Sequence, residues 1–120
     1  VSRAINYEKV LNKALVVLYP DARKRSEIQE QLQSYGTETF HREVPRVSLA
    51  ILYLTSQEPE RFADFLDLAR TDYRDLLCAA EYPHSSRQLG LMEKDPKEFK
   101  KLEAKERAEY LAWIDRLESA

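Results

Sequence analysis

The sequence predicts an all-α fold, a compact bundle of six or seven helices around a central apolar helix at about residues 45–55. Three observations carry that expectation. Apolar residues recur at three- and four-residue spacing along most of the chain, the repeat that gathers side chains on one helical face. Only two glycines, Gly36 and Gly90, occur, too few for a sheet protein with many tight turns. One run, Val47 to Leu54, is apolar nearly all round, as a helix enclosed by its neighbours must be.

The elements follow in order. Tyr7, Val10, Leu11, Ala14, Leu15 and Leu18 share a face, with Asn6 as N-cap and Ser2 as an earlier possible start. Pro20 ends this helix, because a proline pushes the residue before it out of helical geometry. A second helix is expected from about Asp21 to Tyr35, with Ile28, Leu32 and Tyr35 inward and Gly36 supplying a left-handed cap. Its stripe is thin and its charges many, so it should lie on the outside. Pro45 suits the first turn of the third, central helix. A short buried strand is the rival reading of residues 47–54, and the helical neighbours weigh against it.

Pro59 opens the fourth helix, whose stripe is Phe62, Phe65, Leu66 and Ala69. Thr71 reads as the next N-cap, with Asp72 in the first turn, where negative charge suits the helix dipole. The fifth helix turns Tyr73, Leu76, Leu77 and Ala80 inward and stops before Pro83. Residues 82–94 read as the longest irregular segment. Asp95-Pro96-Lys97-Glu98 then combines an N-cap, a first-turn proline and a capping-box glutamate. The last helix buries Phe99, Leu102, Tyr110, Trp113, Ile114 and Leu117. Its charged middle, Glu103 to Arg107, suggests a solvent-exposed span or a break, with Glu103 and Arg107 paired on the surface.

The 120 residues fit a single helical domain, residues 1–120, with a core that needs neither metal nor disulfide. Apolar runs such as Ala14–Tyr19 and Leu49–Leu54 are too short to cross a bilayer, and no membrane partner is expected. No secretory signal is visible at the start. The single cysteine, Cys78, lies in an apolar helical stretch and reads as a buried thiol, so a cytoplasmic location is expected. The net charge of −2 gives no reason to expect nucleic acid. Arg23-Lys24-Arg25, with Lys13 and Arg3, forms at most a weak phosphate-binding patch. The following Glu27 and Glu30 make a solvated helix face the simpler account. No glycine-rich phosphate loop is present, and no cofactor is expected.

The most suggestive segment runs Thr71-Asp72-Tyr73-Arg74-Asp75-Leu76-Leu77-Cys78-Ala79-Ala80-Glu81-Tyr82-Pro83. It resembles small helical bacterial proteins of uncharacterised function that share an Asp-aromatic-Arg-Asp, apolar, Ala-Glu-Tyr-Pro string. The likeness is centred on residues 62–83, with Trp113 in support, and it brings no activity, cofactor or catalytic residue. Read from the residues alone, Asp72, Arg74, Asp75, Glu81, Tyr82 and His84 form a candidate polar cluster for acid/base work or ligand clamping. In the plainer account, Asp72 stabilises a helix end and Arg74 pairs with a neighbouring carboxylate.

Glu81 and His84 have a Glu-x-x-His spacing used in di-metal bundles, but one such pair interrupted by Pro83 does not make up a ligand set, and no metal is expected. Ser85 and Ser86 follow His84 without the spatial partners that a catalytic triad requires. The 82–94 loop is a lid, an interface or a passive connection in which Leu89, Leu91 and Met92 tuck against the core. Of the seven tyrosines, Tyr19 and Tyr82 at helix ends suit an interface best. The favoured function is a protein-interaction or self-associating domain. The alternative is an enzyme or small-ligand-binding domain built on the 72–84 segment.

Overall fold

The computed structural model describes residues 4–119; Ser2 and Arg3, named above for a helix start and a basic patch, lie outside them. Seven α-helices are present among the described residues: α1 (Tyr7–Leu18), α2 (Ala22–Gln33), α3 (Val44–Gln57), α4 (Phe62–Thr71), α5 (Tyr73–Glu81), α6 (Leu89–Lys94) and α7 (Pro96–Glu118). Short 3-10 turns, Pro59–Arg61 and Ser85–Arg87, lead into α4 and α6. No strand occurs among the described residues.

The bundle is organised by α3. Its residues Val47 to Leu52, with Leu54 and Thr55, are buried, and it packs against α1, α4 and α5. A helix with apolar side chains on every side is stable only where neighbours cover every side, and that is the position α3 occupies. The Thr55 hydroxyl returns to the Ile51 carbonyl at 2.7 Å, which settles a polar group inside the core. The long helix α7 closes the assembly against α1 and α5. There Tyr53, Tyr110 and Trp113 meet, with the Tyr53 ring edge-on to both partners at 4.8 and 5.0 Å.

The predicted caps are observed at α1 and α7, where Asn6 and Asp95 each accept from a backbone N–H three residues on, at 3.2 Å. The Asp95 box is half built, because the Asp95 N–H goes to the Leu91 carbonyl and Glu98 pairs with Lys101. At the α4–α5 corner the cap is Asp72 and not Thr71. The Asp72 carboxylate accepts from the Asp75 N–H at 3.2 Å, while Thr71 stays in α4 and its hydroxyl donates to the Asp67 carbonyl. Both residue types cap well, and here the carboxylate takes the position.

Four further expectations need correction. α2 ends at Gln33 with Ser34 as its cap, and Gly36 sits beyond it at φ 120°. A Cβ at Gly36 would come within 3.1 Å of Val44. Cys78 is exposed, because the inward face of α5 is taken by Leu76, Leu77, Ala80 and Glu81 and residue 78 points the other way. Residues 82–94 contain a 3-10 turn and all of α6, and α6 leaves Leu89 and Met92 exposed instead of tucked in. Helix α7 runs unbroken through its charged middle, and Arg107 faces Glu81 in place of the surface pairing with Glu103.

The loop between α2 and α3 is folded around Tyr35. Its hydroxyl donates to the Arg42 carbonyl at 2.7 Å and accepts from the Arg42 N–H at 3.1 Å. Its ring stacks on His41 at 4.5 Å, and His41 Nδ1 accepts from the Gly36 N–H. Tyr35 and His41 therefore act as the staple of this loop.

Candidate functional site

The six polar residues singled out in the sequence fall into four places. Asp72 and Arg74 lie on the outer corner between α4 and α5, bordering a shallow depression of about 320 Å3 with Tyr73, Phe40 and His41. Asp72 is occupied as a cap, and the Arg74 guanidinium lies over the Tyr73 ring with its centre 5.8 Å from the centroid.

Glu81 is inside the protein, 2% exposed. The carboxylate is held by Arg46 of α3, whose Nε donates to Oε2 at 2.9 Å and whose Nη2 donates to Oε1 at 2.8 Å. Arg107 of α7 approaches the same carboxylate at 3.4 Å. Glu81 thus ties α5 to both α3 and α7. The fork geometry of the guanidinium matches both carboxylate oxygens, and these bonds hold the Arg46 proton even more firmly than usual. Tyr110 lies within the electrostatic reach of Glu81, and burial pushes its phenol upward. The Tyr110 hydroxyl has no hydrogen-bond partner among the described residues.

His84 sits at the exposed end of a second buried carboxylate, Glu106, which sequence reasoning placed on a solvated face. Glu106 Oε2 accepts from the His84 N–H and from the His84 ring Nδ1, both at 2.8 Å, and Oε1 accepts from the Ser85 N–H at 2.9 Å. Burial alone would raise the Glu106 pKa, but these donors outweigh it and hold it below the usual value. Glu106 therefore works as a side-chain cap from α7 for the 3-10 turn Ser85–Arg87. Tyr82 is half-buried at the end of α5, where its N–H closes the helix on the Cys78 carbonyl.

Asp75, the last of the six, borders with His84 a groove of about 580 Å3 between α4, α5 and the turns that flank them. Its apolar lining is Leu54, Phe65, Leu68, Ala79 and Pro83. Its charged lining is Glu58, Asp64, Asp67 and Asp75, with Arg61, Arg87 and His84. Asp75 and His84 are the two predicted residues it brings together. Arg61 is already engaged, bridging Glu58 and Asp64 at 3.4 Å each and lying over the Phe65 ring. Asp67 pairs with Arg70 at 3.1 Å. The rim of the groove is built from exposed pairs three residues apart along the 3-10 turn and α4, the type that stays exchangeable in water.

Glu81 and His84 do not converge, because Pro83 ends the helix between them and His84 turns to Glu106. No group of three or more His, Cys, Asp and Glu side chains suited to a metal ion occurs among the described residues. No helix among them is long and apolar enough to cross a membrane. Compared with protein-family models, with curated proteins and with solved structures, the chain matches none.

Proposed function

We propose that this chain is a protein-interaction domain of the cytoplasm, and that the groove between α4 and α5 is its contact surface. The observation that carries this reading is the lining of the groove. Leu68, Ala79 and Pro83 are partly exposed along the groove, over the buried Leu54 and Phe65 and between charged walls. Apolar surface rimmed by polar residues is characteristic of contact sites. Docking is favoured over catalysis by how the candidate residues divide. Glu81 is consumed by Arg46 and Arg107, Asp72 by a helix end, and the His84 Nδ1 by Glu106. A general acid and base must share a substrate position; of the six candidates Asp75 and His84 alone border one groove, and the His84 Nδ1 is already bound to Glu106. A lone cysteine with no disulfide partner suits a reducing compartment.

The lining holds four carboxylates and two guanidinium groups. With Arg61 and the neighbouring Arg70 already paired to three of the carboxylates, a small excess of negative charge remains, which favours a partner segment with apolar anchors and a basic residue. Selection of random displayed peptides on the immobilised full chain tests the reading. Peptides combining Lys or Arg with large apolar residues are expected, and Ala79→Arg, which fills the groove, should abolish their binding. Selected peptides that bind the Ala79→Arg chain equally well would contradict it.

A further inference from the structure

Beside the groove stands a ridge that fits it. Helix α6 spans six residues and packs against α7, where Phe99 is buried. Leu89 is 61% exposed and Met92 45%. Three residues apart on a helix, they share one side. In an isolated chain much of both apolar side chains stays in water, and burying the rest would be favourable. Residues 89–101, with four lysines against Glu93, Asp95 and Glu98, carry a small net positive charge, opposite in sign to the excess on the groove lining. Ridge and groove are also neighbours: Arg87 lines the groove, and Leu89 opens α6 two residues later.

A two-fold contact requires one patch that is complementary to itself. A patch containing an apolar ridge with a basic flank, next to an apolar groove with an acidic rim, meets that requirement. We propose that the occupant of the groove is α6 of a second copy, in a two-fold dimer where each chain sets Leu89 and Met92 into the groove of its partner. Lys94, at the end of α6, then faces the acidic rim. This inference rests on the reading of the groove as a contact surface. The exposed Val16 and Val17 of α1 are a competing patch, but their depression is shared with Asn12 and Lys13 and has no acidic lining among the described residues, so it offers no such match.

Sedimentation velocity of the full chain across a concentration series tests it. The expected result is a rise from the 14.1 kDa of one chain towards twice that mass. Leu89→Asp, Met92→Asp and Ala79→Arg should each weaken association by about tenfold or more, as loss of a central interface anchor does. Leu89 and Met92 are exposed, so their variants keep the helical spectrum and melting transition of the wild type, and the same two measurements on Ala79→Arg, whose site is half-buried against the core, separate lost contact from lost fold. Mixing Met92→Asp with Ala79→Arg leaves one intact ridge facing one intact groove, and the mixture should associate more strongly than either variant alone. A wild-type chain that stays monomeric, a series of larger species, or a dimer indifferent to these changes would overturn the proposal. Should the chain be monomeric while selected peptides still bind and Ala79→Arg abolishes them, the second-copy proposal falls and the groove reading stands. Absence of both self-association and peptide binding removes both.

Discussion

Arg46 and Glu81, thirty-five positions apart, form a two-pronged ion pair at 2.9 and 2.8 Å that joins the central helix to α5. Arg46 reaches it from a half-buried position and Glu81 is enclosed. Removing one member of a buried pair strands the other charge away from water. Glu81→Ala is therefore expected to cost about 3–5 kcal/mol, measured by urea unfolding. A double variant, Arg46→Met with Glu81→Met, should recover part of that loss, since both ends of the pair then become apolar. A cost below about 1 kcal/mol for Glu81→Ala would show that the pair contributes as little as a surface bridge.

Glu106 predicts a specific response to acid. Its carboxylate is held below its ordinary pKa in the folded chain, so the unfolded chain takes up the proton first. The stability it contributes is complete at neutral pH and falls away from about pH 5 downward, as the pH drops through the unfolded value near 4.3 and then the folded one. Glu106→Gln should be less stable by about 1.5–3 kcal/mol at neutral pH and should lose less stability on acidification. Unfolding curves for both proteins across that range supply the comparison.

The corner between α4 and α5 separates two adjacent candidates for the same task. Asp72→Ala removes the accepting carboxylate and is expected to cost about 1 kcal/mol. Thr71→Ala removes only a hydroxyl bonded back within its own helix, and should stay within about 0.5 kcal/mol of the wild type. Paired thermal melts decide which residue is the cap.

The outward position of Cys78 is open to direct chemistry. Its thiol should react with a disulfide reagent in the native chain, without prior unfolding. The rate should lie below that of a free thiol, because partial burial and then the Asp75 carboxylate push its pKa up. Leu52→Ala in the enclosed helix should, by contrast, cost about 2–5 kcal/mol.

What was legible in the sequence follows the range of the interactions. The enclosure of α3 was readable because an all-round apolar helix has one stable environment, and Asn6 and Asp95 because a cap and its N–H lie three residues apart. The Thr71–Asp72 corner was misplaced by one residue, since either side chain can cap. Helix α6 was hidden by its length and by Gly90, with no side-chain cap to mark its start. Glu106 read as solvated because its neighbours are charged, and its partners His84 and Ser85 lie more than twenty positions away. Of the six candidate residues, local chemistry foresaw that Asp72 serves the start of α5, as a first-turn charge and not as the cap it is. It did not foresee the Arg46 clamp on Glu81, nor the groove that brings Asp75 and His84 together, which exist only once distant helices pack.

Amide NMR spectra of the full chain, recorded from dilute to concentrated solution, bear most directly on the central claim. Contact through the groove and α6 predicts shifts concentrated at residues 54–94, with Leu68, Ala79, Leu89 and Met92 among the most affected. Spectra that do not change with concentration, or changes centred on Val16 and Val17, would contradict it.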